Sequence, residues 1–364
     1  RFQGGAEQTN IGFLIRVMLG LQISLLLLSI ASVESIVYGL VAPDSQNLTI
    51  APLDLKGDWV KMTTPGVTTR GIHILDRMSS GASMAVDAAS AIAFIVGYTS
   101  NIPGQTNMSL FGISLQSGNV MVNVTLPLPY WDNGDDHHTT VHLLRSGELV
   151  VVGIEKGEGL RCGVAVVSQF GQVKRYHSLS SLAFGEYCKG PSALDVEDHN
   201  LYLAIATLSG DDWVLKIDLD SGAPVHIASP WVVLSLAFDT SRHGFWALVS
   251  NATEILSDGY YIAFFDSTSS KFSSVRALGR AQCSSVSNPG DNWNLAAAFD
   301  STHGYFVTRE ICQPDGADIN ERVAVIDVAH GSVMHRPLCS SMNNSGLGLF
   351  GLAVPSTFGP SLVV

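Results

Sequence analysis

The residues of this chain most able to do chemistry form a short run of carboxylates and imidazoles. The candidate metal ligands are Asp132, Asp135, Asp136, His137, His138 and His142. Asp oxygens suit Ca²⁺, whereas imidazole nitrogens suit Zn²⁺ or another transition metal. The spacing matches neither an EF-hand loop nor a His-Glu-x-x-His motif. We therefore weigh a divalent-cation site against a solvated acidic turn, which is the commoner use of such residues.

Other catalytic signatures are missing from the sequence. It contains no Gly-x-Ser-x-Gly elbow, no phosphate-binding glycine loop and no Cys-x-x-Cys pair. Ser, His and Asp are all present, but a catalytic triad is defined by geometry rather than by co-occurrence. The sequence alone therefore leaves open whether the protein is an enzyme.

Composition narrows the class of protein. Only 14% of the 364 residues are charged and 46% are hydrophobic, against roughly 25% charged residues in an average soluble domain. These values exclude intrinsic disorder and a coiled coil. The net charge is −12, with 20 Lys and Arg against 32 Asp and Glu. Because phosphate backbones repel such a chain, we expect no nucleic-acid partner and favour cations or basic proteins.

An internal repeat organises the rest of the chain. Four copies of Ala-x-Asp start at Ala85, Ala193, Ala237 and Ala298, and degenerate copies start at Ala353 and Leu143. Each copy precedes a short turn and an apolar run, and a second pair of β-runs joined by a Gly turn follows. Gly in such a turn supplies the positive φ that a tight hairpin needs. Each period therefore predicts four strands, A to D, with no amphipathic helix.

Four-stranded units of this length, repeated in order, are typical of β-propeller blades. The predicted units are 84–128, 138–179, 191–228, 232–278 and 293–338. We expect a sixth, composite blade, with strands A and B from 346–364 and strands C and D from 37–53. Segment 54–83 remains as a long connection or part of a seventh blade. A β-sandwich is the competing all-β fold, but it would not repeat both turn motifs five times in one order.

These Ala-x-Asp and Asp-x-x-x-Gly signatures resemble those of the β-propeller superfamily, in particular the YVTN and quinoprotein-like repeats. The resemblance covers most of residues 36–364 and implies an all-β propeller. It is architectural, and it transfers no catalytic residue to this chain. A quinone-dependent oxidoreductase is compatible with the resemblance, but no residue indicates one.

The five cysteines gain meaning from the repeat. Cys162 and Cys312 are predicted in B–C loops, and Cys188 and Cys339 in the D–A connections that follow them. Because these segments share one face of a propeller, the disulfides Cys162–Cys188 and Cys312–Cys339 are predicted, with Cys283 free or paired with a segment outside this sequence. The alternative is five reduced thiols in a cytosolic protein.

The N-terminal residues suggest a route out of the cytosol. Residues 17–33 carry no charge, so we interpret 1–35 as a cleaved signal peptide, or alternatively as a signal anchor, and 36–364 as the propeller. The membrane would then be contacted only through an uncleaved N-terminal segment. Predicted N-glycosylation sites lie at Asn47, Asn107, Asn123, Asn251 and Asn343.

Two functions follow as hypotheses. The first is a secreted or lumenal scaffold that binds a protein or a cationic ligand through acidic loops on the B–C and D–A face. The alternative is a metal-dependent hydrolase, similar to a lactonase, with Ca²⁺ or another divalent cation in the central channel near residues 132–142. The repeated Asp87, Asp195, Asp239 and Asp300 are predicted instead to cap turns on the opposite face.

Overall fold

A computed structural model describes the propeller region in segments. The described residues are 37–41, 47–55, 58, 60–63, 66–72, 84–98, 107–129, 139–155, 161–179, 186–207, 212–250, 260–279, 297–312, 320–338 and 349–355. Contacts separate the chain into Arg1–Ser35 and Ile36–Val364, and every described residue belongs to the second unit. Among the described residues there are strands and turns, and no helix long and apolar enough to cross a membrane.

The strands are short to medium in length and apolar at their centres. In chain order they are β1 (Val37–Val41), β2 (Asn47–Asp54), β3 (Lys61–Met62), β4 (Val67–Arg70), β5 (Met84–Asp87), β6 (Ile92–Gly97), β7 (Asn107–Ser114), β8 (Val120–Pro129), β9 (Thr140–Leu143), β10 (Leu149–Glu155), β11 (Arg161–Val167), β12 (Val173–Ser178), β13 (Glu186–Asp195), β14 (Asn200–Thr207), β15 (Asp212–Asp218), β16 (Pro224–Ala228), β17 (Val232–Asp239), β18 (Gly244–Ser250), β19 (Tyr260–Asp266), β20 (Lys271–Gly279), β21 (Ala297–Asp300), β22 (Tyr305–Cys312), β23 (Asn320–Asp327), β24 (Ser332–Pro337) and β25 (Leu349–Ala353).

The strands assemble into six antiparallel sheets. Blades 1 to 5 are the four-stranded meanders β5–β8, β9–β12, β13–β16, β17–β20 and β21–β24. The first strand of each blade contacts the first strand of the next, in the order β5, β9, β13, β17, β21, β25 and back to β5. The predicted six-bladed β-propeller is therefore confirmed, with strand A of every blade innermost.

The closing blade differs from the sequence prediction in its composition. Its order is β25, β1 and β2, with β3 and β4 both pairing on the outer side of β2. Among the described residues, the C-terminal segment thus supplies strand A, and the N-terminal segment supplies strands B, C and D. The prediction that Val37–Val41 is strand C was wrong, because it lies in register with β25 through Tyr38 and Ala353. Segment 54–83 contributes the outer strands β3 and β4 rather than a seventh blade.

Apolar side chains fill the interfaces between blades. The interface of blades 3 and 4 contains Tyr202, Phe245 and Phe265, each fully buried. All seven residues of β18 are buried. Middle strands covered on both faces need continuous apolar runs rather than alternating ones, which accounts for the high hydrophobic fraction of the chain.

The repeated aspartates cap turns, as the sequence predicts. Asp87 Oδ1 accepts a hydrogen bond from the Ala89 amide, and Asp300 Oδ1 accepts one from the Thr302 amide, both at 2.9 Å. Asp239 makes two kinds of hydrogen bond. Its Oδ1 accepts a hydrogen bond from the Ser241 amide, and its Oδ2 accepts one from the indole N–H of the buried Trp246 at 3.1 Å. These carboxylates are therefore structural.

The buried cap at Asp239 gives a testable difference from the more exposed cap at Asp87. We expect Asp239→Ala to lower the free energy of unfolding by about 2 to 3 kcal/mol, because it leaves the Trp246 N–H buried without its acceptor. The matched change Asp87→Ala removes bonds from a partly exposed turn and should cost about 1 kcal/mol. Urea unfolding of both variants measures the difference, and equal losses would contradict the assignment.

Candidate functional site

The inner strands of two neighbouring blades bring a histidine and a serine together. His142 lies on β9 of blade 2 and Ser192 lies on β13 of blade 3. In the repeat both occupy one position, three residues before the place of the Ala-x-Asp aspartate, which is Arg145 in blade 2 and Asp195 in blade 3. Equivalent positions on neighbouring inner strands face each other, and this explains their contact.

A hydrogen-bonded trio joins the two blades. His142 Nε2 lies 2.7 Å from Ser192 Oγ, and Thr140 Oγ1 lies 2.5 Å from the same Ser192 oxygen. Thr140 and Ser192 are buried, whereas His142 is half-buried. The serine hydroxyl therefore lies between a second hydroxyl and an imidazole.

The imidazole is neutral at physiological pH. Burial lowers the pKa of His142 from its ordinary value to about 4, because desolvation disfavours the charged ring. A neutral imidazole has one N–H donor and one acceptor nitrogen. His142 Nε2 can therefore accept the Ser192 proton when the other ring nitrogen carries the hydrogen.

A wide bulge precedes the serine. In the ladder of β13 with β14, Cys188 pairs with Ile205 but Ser192 pairs with Leu203, so three residues oppose Ala204 alone. The extra residues are Lys189, Gly190 and Pro191. Bulges re-aim side chains and are enriched beside active sites. Here the insertion lies on the innermost strand, directly before Ser192.

The predicted metal site is described in part. Of its six candidate ligands, His142 lies among the described residues, and residues 132, 135, 136, 137 and 138 lie outside them. Within the described segments no group of three His, Cys, Asp or Glu side chains could bind a metal ion. The cation site therefore stays a prediction.

Sequence reasoning selected His142 but missed Ser192 and Thr140. Serines and threonines are too common in this chain to stand out singly. The usable signal was the repeat itself, because aligning Leu143-Leu144-Arg145 with Ala193-Leu194-Asp195 places His142 opposite Ser192.

Three of the cysteines lie within strands rather than in the predicted loops and connections. Cys162 is the second residue of β11, Cys188 lies within β13 and Cys312 ends β22, because β10 and β11 pair as far as Glu155 and Arg161. Cys162 is fully buried in the cluster between blades 2 and 3. Cys283, Cys339 and the side chain of Cys188 lie outside what the structure describes, so both disulfide pairings stay predictions.

The predicted glycosylation sites fall in different settings. Asn123 is exposed on the outer strand β8, whereas Asn47 is half-buried in β2. Asn107 begins β7, and residues 251 and 343 lie outside the described segments. Among the described side chains, Asn123 is the one placed to carry a glycan.

A second polar cluster lies at the opposite face, between blades 3 and 4. Asp195 Oδ1 accepts hydrogen bonds from the Glu197 and Asp198 amides, while Asp195 Oδ2 is buried with no hydrogen-bond partner among the described residues. Burial raises the pKa of Asp195. Burial, and then the nearby Asp195 charge, raise the pKa of Tyr202 to about 12.

The raised pKa of Asp195 predicts how stability changes with pH. Asp195 binds its proton more tightly in the folded protein than in the unfolded chain. The free energy of unfolding therefore falls as the pH rises from the ordinary Asp pKa to the raised pKa of the folded state. We expect Asp195→Asn, which keeps the capping oxygen, to be at least as stable as wild type at pH 7, with the difference vanishing at low pH. Asp195→Ala should lose about 1 kcal/mol at every pH, since the cap is removed. Urea unfolding across pH tests this, and a less stable Asp195→Asn would contradict it.

Comparisons with known proteins identify the fold and no family. No protein-family model and no curated protein matches the chain. The crystal structure of TolB from Acinetobacter baumannii is similar, with a TM-score of 0.53 at 9% identity over 88% of this chain and 67% of that one. A putative TolB from Agrobacterium tumefaciens gives a TM-score of 0.48 at 11% identity over 83% of this chain and 87% of that one. At such identity the likeness to the first structure shows the β-propeller fold alone.

Proposed function

We propose that this propeller is a secreted or lumenal binding scaffold that takes a cationic ligand or a basic protein segment at one face of the ring. The observation that supports the proposal is the strand order. In an antiparallel A–B–C–D meander, the B–C loops and the D–A connections start and end on the same face, and the A–B and C–D turns on the other. We infer the face on which each connection's charged residues lie from the place of that connection in the strand order.

Carboxylates dominate the sequences of the B–C and D–A connections. The acidic residues there are Asp44, Asp76, Asp132, Asp135, Asp136, Glu158, Asp211, Glu254, Asp258, Asp291, Asp315 and Asp318. The basic residues in the same connections are Arg77, Lys156 and Arg280. Such an excess of one sign on one face attracts cations and steers basic partners toward it.

Part of the charge on the opposite face is paired within the protein. Arg145 forms a salt bridge with Glu197 at 2.8 Å, and Lys174 forms one with Glu148 at 2.7 Å. Arg175 pairs with Asp220. These basic residues partly offset the turn-capping aspartates of that face, whereas the B–C and D–A connections hold few basic residues.

The proposed secretory location is supported by an exposed glycosylation sequon on the outer strand of blade 1. Asn123 starts an Asn-Val-Thr sequon on the exposed outer strand of blade 1, where a glycan has room. The uncharged segment 17–33 is the element that would direct the chain to that compartment.

The binding proposal is tested with a lysine-rich peptide as probe. The double variant Asp315→Asn/Asp318→Asn removes two charges from the acidic face and should weaken peptide binding about tenfold, or about 0.7 kcal/mol for each charge. The control Glu197→Gln/Asp198→Asn removes two charges from the opposite face and should leave binding within about twofold. Titration calorimetry at two salt concentrations measures both. Equal effects of the two variants, or binding that salt does not weaken, would overturn the proposal.

A further inference from the structure

We propose that Ser192 and His142 form a nucleophile–base pair that cleaves a small carboxylic ester entering the channel. The inference adds a reaction to the binding role and does not depend on the acidic face. It stands on the contact of the two side chains, the shared hydroxyl of Thr140 and the bulge that precedes Ser192.

The contact has the geometry that nucleophile activation needs. A general base must lie within about 2.6 to 3.2 Å of the hydroxyl that it deprotonates, and His142 Nε2 is 2.7 Å from Ser192 Oγ. In the productive tautomer Ser192 donates its hydrogen to His142 and accepts one from Thr140. Thr140 is a positioning residue, since it holds the serine oxygen toward the imidazole.

The bulge leaves two backbone amides that precede the nucleophile outside the main pairing. Lys189 and Gly190 lie outside the pairing of β13 with β14, and Pro191 has no amide hydrogen. Because β13 is the innermost strand, no further strand of blade 3 lies between it and the axis. The proposal assigns the amides of Lys189 and Gly190 as donors to the oxyanion that forms on an attacked carbonyl.

The reaction balances without any co-reactant except water. Ser192 Oγ bonds to the carbonyl carbon while its proton moves to His142 Nε2, and the ester C–O bond then breaks as the departing oxygen takes that proton. A water molecule next gives a proton to His142 and its oxygen to the acyl carbon. The bond from the acyl carbon to Ser192 breaks, and Ser192 regains its proton from His142.

Burial restricts the substrate. Ser192 is 6% exposed, so only a small acyl group can approach it.

The experiment labels the whole chain with a small fluorophosphonate and maps the modified residue by peptide mass spectrometry. We expect a single phosphonyl group on Ser192, at a rate that His142→Asn lowers by about 10² or more. Ser192→Ala should not be labelled. Ser235→Ala is the matched control, since Ser235 is a 1% exposed serine on the inner strand of blade 4, and it should label as wild type does.

The result does not depend on variants that fold poorly, because the wild-type protein is decisive by itself. Wild type without a modified Ser192, or His142→Asn labelled at the wild-type rate with a wild-type circular dichroism spectrum, would overturn the proposal. Hydrolysis of p-nitrophenyl acetate that is lost in Ser192→Ala and retained in Ser235→Ala would support it. Loss of peptide binding in the acidic-face variant with labelling intact would separate the two proposals.

Discussion

Replacing Phe265 by Ala is expected to lower the free energy of unfolding by about 3 to 5 kcal/mol. Phe265 is fully buried between blades 3 and 4, where its ring stacks on Phe245 with centroids 4.6 Å apart. The ring also lies 5.1 Å from Phe272 and 5.8 Å from Tyr202. The truncation leaves a cavity inside a rigid aromatic cluster, and strands on both sides limit its collapse.

The matched control is another phenylalanine in an exposed turn. Phe170 is 84% exposed in the C–D turn of blade 2, so Phe170→Ala should change stability by less than about 0.5 kcal/mol. Urea unfolding of both variants, monitored by circular dichroism, measures the contrast. Similar losses for the two would show that the Phe265 cluster does not join the blades as described.

Loss of the predicted Cys162–Cys188 disulfide is the second large effect. Replacing both residues by Ser should cost about 3 to 4 kcal/mol in non-reducing buffer, because the bond closes a loop of moderate length in the unfolded chain. The prediction is supported by the burial of Cys162 between blades 2 and 3 and by the position of Cys188 on the inner strand of blade 3.

Cys283 provides the comparison for this pair. Cys283→Ser should leave stability near wild type, and reducing agent should abolish most of the difference between wild type and the double variant. Non-reducing peptide mapping that joined Cys162 to Cys283 or Cys339 would contradict the pairing.

Much of the fold followed from the repeat, because each blade is a local unit with its own turn signals. The predicted unit 232–278 matches the observed Val232–Gly279 closely. The closing blade was the exception, since its strands come from opposite ends of the chain. Middle strands B and C are both buried apolar runs, so Val37–Val41 fitted either position until its pairing with β25 was known.

The candidate site was harder to predict than the fold. Ser192 and His142 are fifty residues apart and meet only because neighbouring inner strands converge on the axis. Neither residue belongs to a catalytic sequence motif, and only an alignment of the repeats places the two at equivalent positions of neighbouring inner strands. The bulge of Lys189, Gly190 and Pro191 is a shift in pairing, which is a property of two strands rather than of one.

The central claim is that a six-bladed ring is closed by a composite blade. In this blade the C-terminal strand β25 supplies strand A, and N-terminal strands supply strands B, C and D. Tyr38 and Ala353 are directly opposed on β1 and β25 and face the same apolar cluster, so their Cα atoms lie about 5 Å apart, within disulfide range. The double variant Tyr38→Cys/Ala353→Cys should yield a disulfide-joined peptide pair in non-reducing mass spectrometry. A pair that formed instead in Tyr38→Cys/Ser361→Cys, with none between positions 38 and 353, would contradict this closure.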